Sequence, residues 1–198
     1  NKIAQSDTLK SKAYPSESSV VGTGTITVRV GDSDTGVMID ITESRNTLSR
    51  IRDVLNASGA AVNASIAHDS SGYRLLIAAK SSGTSNALNI TVNDNDLNNS
   101  DANGLSAFAY DKYGAKNMEE SQPPNDTALF ANNSFYYGSS NTVPDAIAGV
   151  TMNLLGESGQ FPVNVTVTQD TNGFIFGNLD AFVKAYIWDL LPTIISIR

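Results

Sequence analysis

The spacing of apolar positions divides the first half of the chain into short elements of changing period. Thr23 to Gly31 (TGTITVRVG) alternates β-branched and polar residues between glycines, which predicts a half-buried strand. Val37 to Ile41 repeats the alternation and predicts its partner across the polar turn Gly31 to Gly36. The period then becomes helical. Leu48, Ile51 and Leu55, with Val54 beside them, fall on one face of a short helix. Asn46 or Thr47 is placed to cap its start, and Gly59 sits just past its end. Strands follow at Ala61–Ala67, Tyr73–Ala79 and Leu88–Val92, the first two joined by the turn Asp69 to Gly72. Residues 20–93 therefore read as a β-β-α-β-β-β unit.

Beyond it, Asn93 to Asn103 (NDNDLNNSDAN) is too rich in Asn and Asp for anything but a loop. Residues 111–127 are similarly polar, and Pro123–Pro124 excludes a helix there. Alternation resumes at Ala128–Phe130 and Ser134–Tyr137, with Asn132–Asn133 as the turn. A hairpin is predicted between Gly149–Leu155 and Val163–Thr168, across Gly156 to Gly159. Gly177 to Tyr186 reads as a helix capped near Asn178 or Asp180. Residues 1–19, polar and rich in Ser and Lys, read as extended or partly ordered.

Composition narrows the function classes. With 198 residues, 40% of them hydrophobic, the chain has material for one large or two small cores. Its net charge of −7, without a Lys/Arg cluster, argues against nucleic acid and against an anionic membrane surface. No cysteine is present, which removes disulfide scaffolds, thiol catalysis and Cys-ligated zinc. The apolar stretch Ile187 to Ile197 is interrupted by Asp189, Pro192 and Ser196 and is too short to span a bilayer. The start at Asn1, without methionine, reads as a fragment.

The search for chemistry finds no complete constellation, so no catalytic, cofactor-binding or metal residue is assigned. His68 is the sole histidine and is expected at a surface or turn; no Gly-x-Ser-x-Gly elbow accompanies it. Asp94, Asp96, Asn98 and Asp101 suggest calcium, but Asn99 stands where an EF-hand loop needs glycine and no closing Glu follows. Glu119–Glu120 lie in a polar linker, where acid–base work is not expected. Phe130, Phe135, Tyr136 and Tyr137 suggest a carbohydrate platform, although strand spacing favours core plus one exposed ring.

Two stretches resemble the bacterial flagellar filament cap family (flagellar hook-associated protein 2). Val20 to Gly31, then Asn46-Thr47-Leu48 … Ile51-Arg52-Asp53-Val54-Leu55-Asn56, Ala64-Ser65-Ile66 and Gly72-Tyr73-Arg74-Leu75, look like the hook "IN" motif. Ser139 to Leu154 (SSNTVPDAIAGVTMNL) is similar to a signature more specific to the cap protein, and "FVKAY" at 182–186 continues in family order. The chain departs from the family where Ile187-Trp188 replaces an expected Asn. The motif residues carried over are Gly24, Asn46, Leu48, Ile51, Leu55, Ser140, Asn141, Thr142, Asp145, Ile147, Gly149 and Val150, in structural roles.

The resemblance implies an α+β, predominantly β fold: two β-rich head domains, one inserted in the other, with short helices. It places the insert at residues 20–106, the enclosing domain at 1–19 plus 107–176, and the start of a C-terminal helical leg at 177–198. It implies a non-enzymatic assembly factor without cofactors, secreted to the flagellum tip, promoting flagellin polymerisation. Expected partners are flagellin, further copies of itself in a ring through coiled coils outside this stretch, and hook–filament junction proteins. The alternative is a β-rich surface adhesin recognising host glycan or protein.

Overall fold

In a computed structural model, residues 2–32, 35–131, 133–159, 164–167, 183–184 and 195–197 are described. They form two compact units, residues 5–125 and residues 1–4 with 126–198. Residues 5–19 and 107–125, expected in the enclosing domain, have their partners in the first unit.

In the 5–125 unit the elements are β1 (Thr8–Lys10), β2 (Gly24–Val30), β3 (Val37–Ile41), α1 (Leu48–Ala57), β4 (Val62–Asp69), β5 (Gly72–Ala79), β6 (Leu88–Asp94) and β7 (Glu119–Gln122). The β-β-α-β-β-β order read from alternation is present. Its strands divide between two sheets, ordered β3-β2-β6 and β4-β5-β1-β7. The polar N-terminal segment, expected to be extended or partly ordered, supplies a strand. Antiparallel pairing on both sides makes β1 an inner strand, with Leu9 opposite Ile77 of β5 and Glu120 of β7. One apolar residue suffices because the neighbours supply the rest of the burial. Leu9 is fully enclosed, and Ser11, also buried, accepts the Leu75 N–H on its hydroxyl (2.9 Å).

One apolar cluster unites both sheets and the helix. Leu48, Ile51 and Leu55 of α1, Ile26 and Val28 of β2, Leu75 and Ile77 of β5, and Ile90 of β6 are buried in it with Leu9. The stretch after the Asn/Asp loop joins it too, through a short 3-10 turn at Leu105–Phe108 whose four residues are all buried. Polar composition on either side conceals this anchor. Thr47 is the helix cap: its hydroxyl accepts from the Arg50 N–H at 3.4 Å.

A buried acid sits beside β1. Asp7 accepts the Leu88 N–H on Oδ2 (2.7 Å), whereas Oδ1 has no hydrogen-bond partner among the described residues. Burial, with Glu120 nearby, pushes its pKa up to about 6 against the backbone bonds that lower it. Because the folded-state value lies above the ordinary 3.8, the folded protein binds the proton more tightly. The contribution of Asp7 to stability is therefore greatest below pH 4, falls as the pH rises through 4 to 6, and is level above. The linkage amounts to about 2–3 kcal/mol. Urea unfolding across this range is expected to show the decline, and Asp7→Asn to flatten it.

In the other unit, β8 (Thr127–Ala131) and β9 (Ser134–Gly138) form one hairpin, and β10 (Thr142–Ile147) and β11 (Val150–Asn153) another. Leu129, Ala146, Val150 and Met152 make its core. The partner of β11 is thus β10, not residues 163–168. A register shift at Asp145 (φ 56°) and a tight turn between Ile147 and Val150, with Gly149 at φ 75°, close the nearer hairpin instead. Strand β12 (Val165–Val167) pairs in parallel with β14 (Ile195–Ile197), and β13 (Val183–Lys184) with β11. The helix expected over 177–186 otherwise lies outside the described residues.

Candidate functional site

The two sequence motifs fold into two side-chain clamps. In the first, Leu48, Ile51 and Leu55 seat α1, and the Asn46 carbonyl accepts the Val21 N–H (2.8 Å). Asn56 closes the motif. Its Nδ2 donates to the Ala64 carbonyl (2.8 Å) and its Oδ1 accepts the Ala64 N–H (2.7 Å), so one amide pins the helix end to β4. Sequence reading missed this role, although Asn56 lies eight residues from Leu48, at the edge of the apolar stripe. At Gly24 the backbone runs against β6: a Cβ there would lie 2.2 Å from the Asn93 carbonyl oxygen, and φ is +145°.

The second clamp is centred on Asn141. Its Oδ1 accepts from the Ala4 N–H (2.6 Å) and the Thr127 hydroxyl (2.8 Å), and its Nδ2 donates to the Ala4 carbonyl (2.9 Å). The Thr127 hydroxyl in turn accepts from the Ala4 N–H (3.0 Å). A segment arriving from far along the chain is thereby held as a backbone strand would hold it. The neighbouring motif residues shape the hairpin. Ser140 Oγ accepts the Thr142 N–H (3.0 Å), and the Thr142 hydroxyl donates to Asn153 Oδ1 (2.8 Å). Asp145 Oδ1 accepts the Gly149 N–H (3.3 Å), and Ile147 stands opposite Val150.

The residues weighed for chemistry are occupied otherwise. His68 stacks on Tyr73, its cross-strand partner, with ring centroids 4.3 Å apart. In the Asn/Asp loop, Asp94 Oδ2 accepts the Ser106 N–H (2.8 Å) and Asp96 Oδ1 the Asn98 N–H (2.8 Å). Asp101 Oδ1 accepts the Ser106 hydroxyl (2.8 Å) and the Asn103 N–H (3.1 Å), and these two bonds hold its carboxyl below the usual range. The carboxylates thus brace their own turns, and no group of metal-ligating side chains gathers among the described residues. Glu119 pairs with Lys10 (3.1 Å).

The aromatic group differs from expectation. Tyr136 points inward and its hydroxyl donates to the Ala146 carbonyl (3.1 Å). Phe130, Phe135 and Tyr137 stand outward, 49%, 66% and 73% exposed. Phe130 and Phe135 are opposite each other across the hairpin, 4.7 Å between centroids, and Tyr137 shares their face two residues on. Three rings, not one, are outside.

Residues 125–188 match the family described as "Flagellar hook-associated protein 2 C-terminus". The chain is 30% identical over 173 residues to the B-type flagellar hook-associated protein 2 of Pseudomonas aeruginosa, covering 82% of this chain and 35% of that protein. Among solved structures it is similar to the D2-D3 domains of the flagellar cap protein FliD from Escherichia coli. The TM-score is 0.63 and the identity 27%, over 74% of this chain and 75% of that one. It also superposes on FliD of Pseudomonas aeruginosa with a TM-score of 0.69 over 86% of this chain and 77% of that one; at 24% identity this speaks for the fold alone. The chain thus spans about a third of the length of the curated relative.

Proposed function

This chain belongs to the flagellar hook-associated protein 2 family, and from that membership we propose that it is the head region of a flagellar filament cap. In this reading it is a structural part, without catalysis, of a protein that promotes flagellin polymerisation at the filament tip. Similarity over 82% of the chain to a hook-associated protein 2 carries the proposal. The fold is suited to the role. Burial, strand pairing and two asparagine clamps give rigid units without any cysteine, so a chain exported unfolded needs no oxidation step to fold outside.

The two units correspond in this proposal to an inserted and an enclosing head domain, with the leg beginning near residue 177. Its partners are flagellin, further copies of the protein and hook–filament junction components. Ring assembly through coiled coils belongs to parts of the protein outside this stretch. The relatives lend no support to the adhesin reading.

Genetic replacement tests the role. In the source bacterium, removing this stretch in frame from the full-length gene is expected to stop filament growth, with unpolymerised flagellin accumulating in the medium. Filaments of normal length would overturn the proposal.

A further inference from the structure

A second surface lies in the 5–125 unit, away from the motif clamps. Strand β3 ends its sheet, paired with β2 on one side and, among the described residues, with no strand on the other. Between it and α1 runs an open cleft of about 740 Å³, lined by Met38, Asp40, Arg45, Arg50, Asp53 and Val54, among others. Strand edge and helix flank would therefore meet an occupant together.

The lining points to the chemistry of that occupant. Met38 is 73% exposed on the strand, an unbranched apolar side chain that adapts to varied shapes. Both acids of the cleft have partners within the fold. Asp53 receives Arg52 through its Nε and Nη2 (2.8 and 2.6 Å), and Asp40 Oδ1 accepts the Thr25 hydroxyl (3.1 Å). Arg45 and Arg50 are different: among the described residues neither has a carboxylate within ion-pair distance. In a chain of net charge −7, two uncommitted guanidinium groups beside an open strand edge are complementary to an anionic ligand.

We propose that the β3–α1 cleft docks an extended peptide segment that bears a carboxylate and an apolar side chain and adds as a strand to β3. Main-chain hydrogen bonds to β3 would supply part of the affinity, and alternate side chains would reach the cleft. Apolar groups would cover Met38 and Val54, and carboxylates would meet Arg45 and Arg50. The proposal stands on these residues and does not depend on the cap reading.

Three synthetic probes test it on the 198-residue chain: a capped seven-residue peptide alternating aspartate and valine, its lysine–valine counterpart, and the aspartate peptide N-methylated at alternate amides. The aspartate peptide is expected to shift amide resonances of residues 37–41 and 50–58 and to slow hydrogen exchange in β3. Arg45→Glu with Arg50→Glu, both at exposed positions, is expected to weaken it about fivefold or more. N-methylation is expected to abolish binding. No shifts in these residues, an equal response to the lysine peptide, undiminished affinity of the double variant, or full binding by the N-methylated peptide would each overturn the proposal.

Discussion

Replacing Gly24 with alanine is expected to destabilise the 5–125 unit by about 3–5 kcal/mol, the largest effect of any single methyl group added to it. The added carbon would sit 2.2 Å from the Asn93 carbonyl oxygen, which is backbone and cannot rotate away. The position also has φ of +145°, which an L side chain adopts only under strain. Either β2 and β6 part at the Gly24–Asp94 pair, or Gly24 leaves its conformation; both disturb one end of the middle strand of the sheet. Thermal unfolding followed by circular dichroism should show a midpoint lower by on the order of 15 °C. A shift within 2 °C or so would mean that this end of the sheet is far softer than the packing indicates.

Asn141→Ala is expected to cost about 3 kcal/mol, confined to the unit that contains the second motif. The substitution leaves the Ala4 carbonyl without its side-chain donor and strips the Thr127 hydroxyl of its acceptor, both on buried residues. The Ala4 N–H keeps a bond to Thr127, which limits the loss. Hydrogen exchange separates this outcome from general unfolding. Amides in β8 to β11 should lose protection while those of β2, β5 and β6 keep theirs. Aspartate at 141 is a useful companion. It retains the acceptor but not the donor to Ala4, so it should recover only part of the loss.

Much of the larger unit was legible because its burial follows a period. The helix shows in Leu48, Ile51 and Leu55, and β2 in the alternation of Ile26 and Val28, since each buries a single face. The Asn/Asp loop was legible for the complementary reason, that side chains able to brace local turns favour turns. What escaped was anything fixed by distant partners. Thr8-Leu9-Lys10 carries one apolar residue and no periodic signal, yet it is an inner strand. Residues 105–108 pack into the core from within polar sequence. The partner of β11 was misassigned because two alternating segments are equally attractive in pattern, and turn geometry at Asp145 and Gly149 selects between them. Asn141 and Asn56 were quoted as motif letters, but their bonds to Ala4 and Ala64 depend on backbone groups that no local pattern reveals.

The position of β1 has a kinetic consequence. It lies between β5, some seventy residues later, and β7, later still, so the earliest-made strand of its unit is held on one side by the last. Whichever end of the chain emerges first, this sheet cannot be completed until nearly all of residues 8–122 are available. Closing such long loops before any native pairing rewards them makes folding slow for the domain's size. In the interval β5 presents a bare edge. The alternating, alanine-bearing sequence of β4 and β5 would then be held in solution chiefly by the chain's excess of acidic residues, whose mutual repulsion keeps unfinished molecules apart.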